Sequence, residues 1–113
     1  MERTPPSEYG VYLPNRGFGD RSPLYVVNLQ SFVLQRLDTV VVAPIYHALG
    51  GGQAIGQLNL RVDLDCDPGA NLILMISEVA GIARRDLGDR VDSLWTDSDQ
   101  ILRAIGLVFT GMG

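Results

Sequence analysis

QLNLRVDLDCDPGANLILMIS, residues 57–77, is the stretch that decides how this chain folds. Leu58, Leu60, Val62 and Leu64 alternate with Asn59, Arg61, Asp63 and Asp65. Successive side chains of a strand point to opposite faces, so this alternation describes a strand with one face on a core and the other in water. Asp67-Pro68-Gly69-Ala70 follows. Proline pre-sets φ at the second position of a turn and glycine supplies the positive φ at the third, which is the type II pattern. Residues 71–77, NLILMIS, then return as a nearly continuous apolar run, as expected of a strand buried on both faces. The three pieces form a β-hairpin.

Towards the N-terminus the same chemistry repeats. Residues 24–31 (LYVVNLQS) and 39–45 (TVVVAPI) are rich in β-branched and aromatic residues and read as strands, and residues 9–13 (YGVYL) as a short first strand. Pro44 cannot donate to a ladder, which predicts a place at a sheet edge or strand end. Residues 14–23 (PNRGFGDRSP) are turn chemistry. Gly50, Gly51 and Gly52 lack the lysine and Ser/Thr ending of a phosphate loop and read as a flexible connection.

Beyond the hairpin, Val79, Gly81 and Ile82 continue in strand style, whereas Leu87, Val91 and Leu94 sit at helical spacing and predict a short helical turn. The last segment, residues 98–113 (SDQILRAIGLVFTGMG), is the helix of the chain. Ile101, Ala104, Ile105 and Val108 make its buried stripe. Leu102, Leu107, Phe109 and Met112 widen the apolar surface, leaving Arg103, Gly106 and Thr110 as a narrow strip. A helix this apolar is expected to meet a second chain as well as its own sheet. Thr96, Asp97 and Ser98 offer N-caps, with Asp97 and Gln100 as a reciprocal pair. Strands followed by one helix, without βα alternation, exclude a doubly wound parallel sheet and predict a small antiparallel sheet or partly open barrel.

Length and composition narrow the function. The 113 residues are expected to form one domain, 1–113, with residues 1–8 as a flexible tail. Neither a membrane span nor a secretory signal is readable, so the expectation is a cytoplasmic protein. One cysteine, Cys66, and one histidine, His47, are too few for zinc or for most triads, and no metal or other cofactor is expected. The net charge of −4 disfavours direct contact with nucleic acid. All nine basic residues are arginine, which excludes lysine chemistry. Asp63, Asp65, Asp67 and Asn71 resemble a calcium loop, but Pro68 and Leu74 stand where its glycine and bidentate glutamate belong. His47 reads as a surface histidine and Trp95 as core or lid packing. Arg84-Arg85-Asp86 and Asp89-Arg90 read as solvated mixed charge, the sharper alternative being a docking site for an acidic partner segment.

Taken in order, these segments resemble the CcdB family of toxins from bacterial toxin–antitoxin modules. The likeness runs from Tyr9 to Met112. It is carried by Tyr25-Val-Val-Asn-Leu-Gln-Ser31 with the apolar pair Val33-Leu34, by Ala43-Pro44-Ile45, and by Leu87-Gly88-Asp89, Val91 and Leu94 leading into Ile101-x-x-Ala-Ile-x-Leu-x-Phe109 and Gly111. Residues 46–57 are unlike the family. The resemblance implies a mainly β (α+β) fold: a small SH3-like antiparallel barrel of the CcdB/PemK type with a side sheet and a C-terminal helix, assembled as a symmetric homodimer. It implies no enzyme and no cofactor, but a toxin that binds the A subunit of DNA gyrase, traps the enzyme on cleaved DNA and is neutralised by a CcdA-like cognate antitoxin. Carried over, target contacts fall on Val33, Leu34, Arg103, Gly106, Thr110, Gly111 and Met112, and dimer contacts on Val108 and Met112.

The chain departs from the family where Thr110 replaces a tryptophan, Met112 an isoleucine and Gly106 an asparagine, and where Gly113 is extra. Loss of an aromatic anchor removes about 2 kcal/mol of binding, a factor of tens in affinity. Two alternatives stand beside the gyrase reading. A sister family on the same barrel cuts messenger RNA, for which Arg16, Arg21, Arg61 and His47 are the candidate groups. A non-toxic relative would only bind antitoxins.

Overall fold

The computed structural model describes residues 8–15, 22–29, 38–48 and 58–110, with side chains through Val108. Val33, Leu34, Gly111, Met112 and Gly113 lie outside the described residues, as do Arg16, Arg21, Gly50, Gly51 and Gly52. Among the described residues seven strands, β1 (Gly10–Pro14), β2 (Tyr25–Asn28), β3 (Thr39–His47), β4 (Asn59–Val62), β5 (Leu72–Met75), β6 (Ala80–Ala83) and β7 (Leu87–Ser93), precede one α-helix, α1 (Ser98–Thr110). Every pairing is antiparallel. The sheet runs β4-β5-β3-β2-β1-β7, and β6 joins it as a side branch on β3.

The hairpin forms as its sequence dictates. Arg61 pairs with Ile73 and Val62 with Leu72. Val62 and Leu64 are buried while Arg61, Asp63 and Asp65 are exposed. The Ala70 N–H donates to the Asp67 carbonyl at 3.2 Å, and Gly69 takes φ +81°, the left-handed value that a type II turn needs at that position.

Two expectations need correction. Pro44 is neither at an edge nor at a strand end. It sits inside β3, the most connected strand, opposite Val26 of β2. The backbone explains how it is tolerated. Carbonyls of Val41 and Ile45 accept from Leu29 and Leu24 on the β2 side, so the nitrogen of Pro44, one residue out of phase, faces the opposite edge. On that edge β6 pairs with Thr39, Val40, Val41 and Val42, and β5 with Ile45, Tyr46 and His47. The missing donor falls in the gap between them, where the chain makes the 3-10 turn Ile76–Glu78. The second correction concerns Leu87, Val91 and Leu94. Residues Leu87–Ser93 are strand β7, paired with β1, and the helical turn is the short 3-10 segment Arg84–Asp86 before it. Gly88 lets β7 approach closely: a Cβ there would lie 2.6 Å from the Leu13 carbonyl oxygen.

One face of the sheet carries the main core. Val11, Val27, Ala43, Ile45, Leu72, Leu74 and Ile76 pack with Ile101 and Ala104 of α1. Tyr12, Val26, Val40, Val42 and Ile82 form a smaller cluster on the other side. β4 and β7, at opposite ends of the strand order, are joined by a side chain. Asp92 of β7 accepts the Cys66 N–H at 3.0 Å, from the β4–β5 connection, and the Ser93 N–H at 2.7 Å. Burial pushes the Asp92 carboxyl up, but backbone N–H groups of Cys66, Ser93 and Asp65 outweigh it and hold the group below its ordinary value. A carboxyl whose folded pKa is depressed adds stability above its unfolded pKa, and that stability disappears as pH falls through the folded value. Asp92→Asn is therefore expected to cost about 1–2 kcal/mol at pH 7 and progressively less as the pH falls through the depressed folded value of the wild-type carboxyl. Urea denaturation of both proteins as a function of pH checks this.

Candidate target-binding surface

The helix α1 is placed by its apolar stripe. Ile101 and Ala104 are fully buried, and Ile105 and Val108 are half-buried against the same core. Val108 thus packs on its own sheet. The chain enters α1 through the 3-10 turn Trp95–Asp97, which has no side-chain cap hydrogen bond. Asp97 and Gln100 make no reciprocal pair among the described residues. Instead burial, and then the charge of Asp63, push the Asp97 carboxyl above its ordinary value. Trp95 is 60% exposed and so is not core packing; its ring leans on Tyr9, ring centres 5.7 Å apart. Tyr9 holds φ +62° while its N–H donates to the Asn28 carbonyl at 2.7 Å and its carbonyl accepts the Leu94 N–H at 2.8 Å.

The outer side of α1 carries one exposed large apolar side chain among the described residues. Leu102 is 60% exposed. Arg103 and Gly106 are exposed beside it, and a Cβ on Gly106 would meet nothing within 4 Å among the described residues. Thr110 is the last residue of the helix. On a helical wheel, Leu102, Arg103 and Gly106 fall within about a third of a turn of one another. Between this face and β4 lies a groove of about 400 Å³ lined by Leu60, Gln100, Arg103 and Leu107. The sequence pointed to Arg103 and Gly106; it did not single out Leu102 or the groove. Leu102 was readable as an apolar residue off the buried stripe. Leu60 comes to the groove only through the tertiary fold.

Of the candidate groups for RNA cleavage, the two among the described residues, His47 and Arg61, are not brought together. His47 pairs with Leu72 and Arg61 with Ile73, so the two lie on opposite faces of the sheet. Arg61 donates to the Asn71 Oδ1 at 2.8 Å. The Tyr25 hydroxyl donates to the Asp67 Oδ2 at 3.1 Å, and burial followed by that carboxylate push the phenol up to about 12. Asp67 and Asn71, half of the calcium-like set, therefore serve other partners. Cys66 is exposed. No helix is long and apolar enough to cross a membrane among the described residues.

Three solved structures share the architecture. An endoribonuclease in complex with its cognate antitoxin, from Mycobacterial species, superposes with a TM-score of 0.72 at 14% identity, over 96% of this chain and 97% of that one. A Mycobacterium tuberculosis toxin, MazF-mt6, gives 0.70 at 21% identity, over 89% and 96%. A further Mtb toxin gives 0.62 at 24% identity, over 75% and 91%. At these identities the likeness shows the fold, the CcdB/PemK-like barrel with its C-terminal helix. A comparison with curated proteins found no match. The family model described as CcdB protein matches residues 8–111, nearly the whole chain, and with the fold above it the chain belongs to the CcdB family.

Proposed function

We propose that this chain is the toxin of a toxin–antitoxin module and acts by binding, with the A subunit of DNA gyrase as its target. The observation that carries the reading is the outer face of α1. Leu102, Arg103 and Gly106 lie exposed on a helix whose opposite side is anchored in the core, and Thr110 ends it. An exposed leucine beside an arginine on a rigid helix is suited to partner contact. Val33, Leu34, Gly111 and Met112 complete the target surface, a homodimer forms through Val108 and Met112, and a cognate antitoxin neutralises the protein. Thr110 in place of an aromatic anchor makes the affinity for gyrase lower than that of relatives that keep the tryptophan.

Expression in bacteria is expected to arrest growth with accumulation of cleaved gyrase–DNA complexes. Arrest without such complexes removes gyrase as the target. Leu102→Glu is expected to leave stability within about 0.5 kcal/mol, because the side chain is exposed, and to weaken target binding by about tenfold or more. Thermal unfolding and a pull-down with the gyrase A subunit check the two halves.

A second reading is favoured by the likeness to a solved endoribonuclease. In it the chain cuts messenger RNA. Incubation of the purified protein with RNA separates the two, since cleavage products appear under the second reading alone. A chain that neither arrests growth nor cuts RNA, yet binds an antitoxin, is the non-toxic relative.

A further inference from the structure

Trp95 is the one tryptophan of the chain, and most of it lies in solvent. It stands where β7 hands over to α1, at the start of the 3-10 turn Trp95–Asp97. The Tyr9 ring that it leans on is fixed. Tyr9 is buried, and its backbone is held from both sides, the N–H by Asn28 and the carbonyl by Leu94. A positive φ is uncommon for a tyrosine, so these bonds rather than local preference set its position. An indole held on such a base loses little freedom when a partner covers it.

The charge around this platform is of one sign. Asp97 ends the same turn, and Asp99 lies in the first turn of α1. Burial raises the Tyr9 phenol, and the charges of Glu8 and Asp99 raise it further. Burial raises the Asp97 carboxyl too, and Asp63, just past the end of β4, adds to it. The arginines of the described strands and helix are placed differently. Arg84 and Arg85 precede the Leu87 end of β7, whereas the platform follows its Ser93 end. Arg61 donates to Asn71, and Arg103 lines the groove beside Leu60. The face of an aromatic ring is the negative part of its quadrupole, and tryptophan attracts a cation best. Carboxylates crowded this way gain when a cation comes among them.

We propose that Trp95, backed by Tyr9 and set among Glu8, Asp63, Asp97 and Asp99, is a platform for an arginine side chain of a protein partner. Arginine suits it better than lysine, because a planar guanidinium stacks on the ring while its N–H groups reach for carboxylates. A nucleic acid also has flat groups to stack, but its phosphates would meet these acids. The net charge of −4 works in the same direction as the local charge. The platform uses none of Leu102, Arg103, Gly106 or Thr110, so it stands whichever target the outer face of α1 binds.

Because the chain has no other tryptophan, its fluorescence reads this site directly. The full chain is titrated with acetyl-Gly-Arg-Gly-Arg-Gly-Arg-amide, and the Trp95 emission is expected to change and saturate. Citrulline in place of arginine, flat but uncharged, is expected to abolish the saturable change. Lysine in its place is expected to weaken binding about threefold. Asp97→Asn keeps the fluorophore and is expected to weaken binding of the arginine peptide about threefold. Trp95→Ala, followed by calorimetry, is expected to weaken it about two- to fivefold. Four results overturn the proposal: an emission that ignores the arginine peptide, a citrulline peptide that acts as well, an affinity unchanged in Asp97→Asn, or a single-stranded oligonucleotide that saturates the emission at lower concentration than the peptide.

Discussion

Ile101→Ala is expected to lower the stability of the folded chain by about 3–4 kcal/mol. Ile101 is fully buried in the first turns of α1, against the cluster that includes Val11, Ile45 and Leu74. Removing its outer carbons forfeits their burial and leaves a cavity that a rigid sheet cannot close. For a domain of this size that is a large share of the ordinary 5–15 kcal/mol total, at roughly those bounds. Urea denaturation reads the effect as a lower midpoint with an unchanged slope. Leu102→Ala, one residue along but exposed, is the control and is expected to stay within about 0.5 kcal/mol. A pair of equal midpoints would mean that α1 is not anchored as described. The contrast also sorts functional data: a toxicity defect in Ile101→Ala comes with instability, and one in Leu102→Glu comes without it.

The second large effect is expected at Gly88. Adding a Cβ there places it 2.6 Å from the Leu13 carbonyl oxygen and 3.2 Å from the Leu13 Cβ. The first of these neighbours is backbone, so no side-chain rotation relieves the clash. β1 and β7 must separate, and β7 has no other strand partner among the described residues. Gly88→Ala is expected to cost about 2–3 kcal/mol, at the upper part of the range for overpacking. Gly81→Ala, where a Cβ meets nothing within 4 Å among the described residues, is the matched control. Thermal unfolding of the two variants decides: a loss in both or in neither removes close approach as the explanation.

Much of the fold was legible because local chemistry and tertiary demand agree. The alternation of residues 58–65, the Pro68-Gly69 turn and the Ile101-Ala104-Ile105-Val108 stripe each state their own structure. β7 was not legible. Its pairing with β1 shifts register between Val11 and Tyr12 and again between Tyr12 and Pro14, so strict period-two burial is lost. What remains, Leu87, Val91 and Leu94, imitates a helix. Pro44 misled for a related reason: a rule about single edges does not foresee a strand whose neighbour is interrupted at that residue. At the candidate site, Arg103 and Gly106 could be named from the wheel and the family likeness. The groove beside Leu60 needed coordinates, because it depends on elements far apart in sequence.

Pro44 also acts as punctuation. β5 and β6 compete for the same edge of β3 and lie along it end to end. A strand that slid by one residue would carry its core side chains to the wrong face. It would also have to seek a hydrogen bond from a nitrogen that has no proton to give. The ring at Pro44 therefore marks where one strand must stop and the next must start, and a single residue fixes the alignment of two.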